Sequence, residues 1–329
     1  MRVEIWADVV CPWAYIGKRR IERALRGWSG PDGTEVEVVW RPYRIDPTAP
    51  TVAEPLAAAL QNPFVDTALR ACTPTDVTPS ENRRRVAEIA RDEGIGSRWG
   101  ARWRVSSHNA HRLVALSLIK AGAGLQNAVM EELLGAHFVE GADIGAIDVL
   151  AEVAARAGFD AGGRLLAEGG GEAEVRESLL IGQSRAIRTS PTFVVDGLAL
   201  AGAQEPEEIR SFLVDAAGRE FSEPPEEVER LRRGESLLGA GNPLGALTLL
   251  APLLAEHPED RAVRLLAARA YYHSAQLNRA RNVLEGLIDE GPDDAYAYLL
   301  LGRTLQRQGK VGEAGPLLRL AEVMAPGRS

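Results

Sequence analysis

The chain has 329 residues, 45% hydrophobic and 26% charged, the composition of a globular protein with room for one to three cores. A formal net charge of -8 argues against nucleic acid as a partner, because that ligand demands a basic face. Two cysteines, Cys11 and Cys72, are too few for a disulfide framework or a site of several metal-bound thiolates, so no metal is expected. The N-terminus reads as no secretory leader, and no apolar run approaches a bilayer's thickness. The expectation is a cytoplasmic protein with reduced thiols and no membrane partner. Nearly all basic residues are arginine, with lysine only at Lys18, Lys120 and Lys310; with abundant Ala and Gly, this suggests a high-GC bacterial genome.

Val3 to Val10 reads as a buried strand that runs into Cys11-Pro12-Trp13-Ala14. A helix follows to Leu25, and Pro12 suits its first turn, where a missing N–H costs nothing. Glu35 to Trp40 alternates as a second strand, so the chain opens β-α-β with parallel strands. Prolines 47, 50 and 55 break the pattern, and the chain then reads as helices to about Arg188. Clear examples are Arg83–Asp92, His111–Ala121, Ala128–Val139 and Ile147–Ala157, with Arg83-Arg84-Arg85 a solvated face. Thr192–Val195 and Leu198–Leu200 flank Asp196-Gly197, a strong hairpin signal because a type I′ turn needs positive φ. An amphipathic helix from Glu205 to Ala217 closes this part. The order is β-α-β, a helical insertion over about 48–188, then β-β-α, with the whole spanning 1–218.

Residues 219–226 read as a linker. Beyond it, Pro258, Pro292 and Pro326 fall 34 residues apart, as do Ala246, Ala280, Ala314 and Leu250, Leu284, Leu318. Gly234, Ala268 and Gly302 keep the same register. This period, with small residues where helices cross, resembles the tetratricopeptide repeat and implies three stacked helix pairs over 227–329. Arg269 and Arg303 share the slot that faces the groove in such repeats, where they are candidates for binding a carboxylate-rich segment of a protein partner. The lysine and asparagine of the carboxylate-clamp repeats are absent, with Leu231, Leu265 and Leu299 in one of the relevant slots.

Glu4–Trp13 with Tyr15-Ile16-Gly17-Lys18-Arg19, Ala110-His111-Arg112-Leu113, Glu140–Gly145, Ser190-Pro191-Thr192-Phe193 and Gly202-Ala203-Gln204 together resemble the FrnE-type branch of DsbA-like thiol oxidoreductases. The resemblance implies an α/β thioredoxin fold with an inserted helical domain, here followed by the all-α repeat domain. It implies Cys11 as nucleophile and Pro191 as a cis-proline opposite it, with Ser190 presenting its backbone to an extended substrate. Pro12, Trp13, Ala14 and Thr192 would support the site. Cys11 would stand at a helix N-terminus, where the unpaired N–H groups favour thiolate. The chain departs from the family at Ala14, which replaces the resolving cysteine, and at Ser106–Asn109. His111 reads as a structural helix residue rather than a base, and His108 more so. Cys72 reads as an ordinary, partly buried cysteine.

One sulfur suffices for thiol–disulfide exchange when an outside thiol completes the cycle. The expected activity is therefore a monothiol oxidoreductase acting on a protein or small-molecule disulfide, with glutathione or mycothiol as co-substrate and no resident cofactor. Two alternatives stand beside it. One is a client-binding adaptor or chaperone of the thioredoxin–tetratricopeptide type. The other is a thiol-assisted isomerase of a small electrophile, as in chromene-carboxylate isomerases.

Overall fold

The computed structural model describes residues 1–30, 33–62, 77–96, 99–219 and 224–327, so Cys72 and half of the expected linker, 220–223, lie outside the described residues. The chain divides into two compact units: Met1–Gly182 with Ile187–Ser222, and Gln183–Ala186 with Glu223–Ser329.

The first unit is built on β1 (Arg2–Ala7), α1 (Pro12–Ala24) and β2 (Glu37–Pro42). The expected first strand ends at Ala7 rather than Val10, because Asp8–Val10 form a turn closed by the Cys11 N–H donating to the Asp8 carbonyl at 3.0 Å. β5 (Thr192–Val195) and β6 (Leu198–Ala201) complete a four-stranded sheet in the order β2-β1-β5-β6, with α8 (Pro206–Ala217) following. β1 runs parallel to β2 and antiparallel to β5. Val3 and Ile5 are fully buried and Trp6 is nearly so, because β1 is the central strand and both its faces are covered. The β5–β6 hairpin turns on Asp196 and Gly197 at φ 47° and 82°, the pair of positive values that a type I′ turn requires.

The insertion contains α2 (Leu56–Ala59), α3 (Pro79–Asp92), α4 (His108–Gly135), α5 (Ile147–Arg156), α6 (Gly162–Ala167) and α7 (Glu172–Ser184). A short antiparallel pair, β3 (Glu54–Pro55) and β4 (Trp103–Arg104), was not expected. The two helices expected at His111–Ala121 and Ala128–Val139 are the two parts of α4, which breaks at the non-helical Ala121 and Gly122, resumes directly after them and is continued by a π-turn at Ala136–Glu140. Joined with that turn, α4 is long and apolar enough to cross a membrane by length and composition alone, criteria that a buried core helix also meets, and it is broken at Ala121 and Gly122. Its Leu113, Val129, Leu133 and Leu134 are buried in the first unit's core. Gln126 of α4, fully buried, accepts from the Trp40 N–H and donates to the Trp40 carbonyl, both at 2.9 Å. Its amide thus serves backbone groups of β2 that a neighbouring strand would otherwise satisfy.

Among the described residues, the second unit holds six helices in three consecutive pairs: α9 (Glu226–Gly239), α10 (Pro243–Glu256), α11 (Arg261–His273), α12 (Leu277–Glu290), α13 (Ala295–Arg307) and α14 (Val311–Met324). Asp260 and Asp294 cap equivalent helices by accepting from Val263 N and Ala297 N, each at 3.0 Å. A Cβ added at Gly302 would meet Leu318 Cδ2 at 2.6 Å, so the small residue of this slot lets α13 and α14 cross closely. Ala268, Leu284, Leu301 and Ala314, all on the repeating positions or beside them, form part of its core.

Candidate active site

Cys11 is the N-cap residue of α1, extended at φ -87° and ψ 119°, with Pro12 opening the helix. α1 is pressed onto the start of β5. A Cβ at Gly17 would meet Pro191 Cγ at 2.9 Å, so only glycine fits there without a shift. The first turns of α1 are also tied to α4: the Tyr15 hydroxyl donates to Glu131 Oε1 at 2.8 Å and Lys18 pairs with Glu131 Oε2 at 2.8 Å.

These contacts bring the Ser190–Pro191 segment against the cysteine. The Ser190–Pro191 peptide bond is cis. The Cys11 thiol donates to the Ser190 carbonyl at 3.3 Å, and the Ser190 hydroxyl accepts from the Asp8 N–H at 2.9 Å. Ala14 is fully buried on the first turn of α1, and Trp13 is half-buried beside it. Thr192 is buried too, but its hydroxyl donates to the Thr189 carbonyl at 2.8 Å. It braces the turn before β5.

The helix N-terminus does not leave Cys11 as a thiolate. The residue is only 5% exposed, and burial pushes the thiol up to about 11. A hydrogen bond from the Ser190 side chain lowers the value, the Asp8 charge raises it, and the Trp13 and Ala14 N–H groups lower it. The amide contribution expected from the sequence is therefore present, but desolvation outweighs it.

Two buried polar residues, Asp8 and His111, meet near the start of α1, and of these Asp8 acts on the sulfur. Asp8 is 1% exposed, with Oδ2 accepting from Ile45 N at 2.7 Å. His111, read from sequence as a structural helix residue, is 3% exposed, and its Nε2 lies 3.3 Å from Asp8 Oδ1 and 3.0 Å from the Tyr43 carbonyl. The signal for Asp8 was a lone acid between the apolar Ala7 and Val9. His108 lies apart from this pair, with Nε2 2.7 Å from Glu172 Oε2. No group of three or more His, Cys, Asp or Glu among the described residues is placed to hold a metal.

In the repeat unit, Arg269 reaches Glu235 at 3.4 Å, and Arg303 is exposed.

The profile of the DsbA-like thioredoxin domain matches residues 2–214, well over half of the chain. The chain belongs to the DsbA-like thioredoxin-domain family. A tetratricopeptide profile matches residues 237–304, so this DsbA-like protein also carries a repeat domain. Among solved structures, a probable DsbA oxidoreductase from Streptomyces coelicolor is 26% identical, with a TM-score of 0.56 over 68% of this chain and 93% of that one. A 2-hydroxychromene-2-carboxylate isomerase is 16% identical, with a TM-score of 0.44 over 72% of this chain and 99% of that one. The cytosolic disulfide reductase DsbM from Pseudomonas aeruginosa, with glutathione, is 19% identical, with a TM-score of 0.40 over 65% and 97%. No curated protein matches the sequence. The DsbA-like family match and the Streptomyces coelicolor neighbour, a probable DsbA oxidoreductase, fit an enzyme of that general kind.

Proposed function

We propose that this DsbA-like protein is a monothiol thiol–disulfide oxidoreductase that acts through Cys11. The observation that carries the reading is the placement of one sulfur against the backbone of a cis-proline segment, with Ala14 where a second sulfur would resolve the product. Cys11 first loses its proton. The thiolate attacks one sulfur of a substrate disulfide, forming a mixed disulfide on Cys11. The other sulfur leaves as thiolate and takes up a proton. A free thiol of the glutathione or mycothiol class, abundant in a cytoplasmic setting, then attacks the mixed disulfide and restores Cys11. The net reaction exchanges thiol partners, so no outside oxidant is needed.

Ser190 and Pro191 would hold an extended substrate, Trp13 would wall the site, and Pro12 would set the helix that carries the sulfur. Thr192 supports the segment through Thr189. Turnover of a glutathionylated peptide under excess thiol tests the reading. The expected result is release of the peptide by the native chain and none above background with Cys11→Ser. Equal release by both would contradict it.

A second reading is a client-binding adaptor, favoured by the burial of Cys11 and by the repeat domain. Arg269 and Arg303 would then take an acidic segment. On that reading, binding of an acidic peptide is lost with Arg269→Glu/Arg303→Glu and retained with Cys11→Ser.

A further inference from the structure

The thiol exchange leaves one buried polar pair without a task. Asp8 stands at the end of β1, its Oδ1 facing Val10 N at 3.4 Å and His111 Nε2 at 3.3 Å. A carboxylate charge there opposes a second negative charge on Cys11. His111 Nε2 faces two acceptors, the Asp8 carboxylate and the Tyr43 carbonyl, so that nitrogen carries a proton. The Asp8–His111 contact is enclosed, with the two residues 1% and 3% exposed, so solvent screens it little.

The other charged or titratable groups around the pair differ in kind. His137, from the π-turn, is held neutral by burial, its value lowered to about 4, and contributes no charge at neutral pH. Glu174 and Glu177 of α7 and Arg41 of β2 line a cavity of about 240 Å³ that His111 also borders. Arg41 is paired with Glu4 at 2.7 Å. Across an open cavity these charges are screened. Of the titratable side chains named, His111 is the one within hydrogen-bond distance of the Asp8 carboxylate.

We propose that His111 is a positioning residue for the Cys11 thiol, acting through Asp8. Its N–H holds the carboxylate and draws its charge away from the sulfur, and so sets how readily Cys11 ionises. This inference rests on the reading of Cys11 as the nucleophile.

The test is the pH profile of Cys11 alkylation by iodoacetamide in the full chain, followed on the Cys11 peptide. Asp8→Asn moves the midpoint down, and the rate at neutral pH rises roughly tenfold for each unit by which the pKa falls. His111→Phe moves the midpoint up and lowers that rate several-fold. His111→Asn keeps an N–H toward Asp8 and recovers most of it. In the Asp8→Asn background, His111→Phe changes nothing further, the non-additivity expected of residues acting in series. An unchanged profile in His111→Phe, or an equal shift with and without Asp8, overturns the proposal. If circular dichroism shows that His111→Phe does not fold, an unchanged profile in Asp8→Asn overturns it as well. A Cys11 that is unreactive at every pH sinks the nucleophile reading along with this one. A reactive Cys11 whose profile ignores both substitutions sinks this one alone.

Discussion

The Cys11 thiol points at the Ser190 carbonyl across 3.3 Å, so the sulfur and the residue before the cis-proline are already in contact. A neutral thiol can donate to that oxygen and a thiolate cannot. The contact therefore suits the protonated form, in line with the upward push that burial gives the thiol. A substrate that takes over the Ser190 backbone would release the thiol from this bond.

The first prediction is a stability dependence with a defined sign. The folded thiol titrates at about 11 against an ordinary value of 9.0, so above the ordinary value the folded state binds more protons than the unfolded one. Stability from Cys11 is complete below pH 9.0 and is lost as pH rises toward about 11. The native chain should lose on the order of 2–3 kcal/mol relative to Cys11→Ala across that window, read from paired urea titrations. Parallel curves for the two chains would contradict the assignment.

Ala14→Cys should restore a local resolving thiol. Ala14 N bonds the Cys11 carbonyl at 2.9 Å on the same helical turn, so a sulfur there stands at millimolar effective concentration or above. The mixed disulfide on Cys11 should then decay without added thiol. A lifetime equal to that of the native adduct, measured by quenched mass spectrometry, would mean that the buried position cannot present its sulfur.

Gly17→Ala should destabilise the first unit by about 1–3 kcal/mol, because the new methyl overlaps Pro191 at 2.9 Å. It should also slow Cys11 chemistry, since α1 and the Ser190 segment move apart together. An unchanged melting temperature would show that Pro191 yields freely.

Gln126→Leu should leave the Trp40 N–H and carbonyl without their side-chain partner in the core. About 1–3 kcal/mol is expected for a buried group so stranded, measured by chemical denaturation. A neutral result would show that water replaces the amide.

Much of this fold can be read from local pattern. Val3, Ile5 and Trp6 are β-branched or aromatic, and Pro12 marks a helix start, so the strand and helix around Cys11 are legible. The repeat unit is legible because its 34-residue period puts Ala246, Ala280 and Ala314 in one slot and Leu250, Leu284 and Leu318 in another. The break in α4 is legible as well, since the pattern ends a helix at Ala121, which takes φ -147° beside Gly122; that the helix resumes directly after Gly122 is not. The fate of the thiol is also hidden from the sequence. A helix N-terminus is a local feature, whereas burial of Cys11 depends on the distant Ser190 and on the insertion. Asp8 and His111 are 103 residues apart, and only the folded chain shows that they meet.

The central claim is that Cys11 alone forms and releases a mixed disulfide. Intact-mass and peptide mass spectrometry after incubation with glutathione disulfide at mildly alkaline pH tests it most directly. The account predicts one glutathione adduct on Cys11, absent in Cys11→Ser and removed by added free thiol. An adduct confined to Cys72, or none on Cys11 at any pH up to about 11, would contradict it.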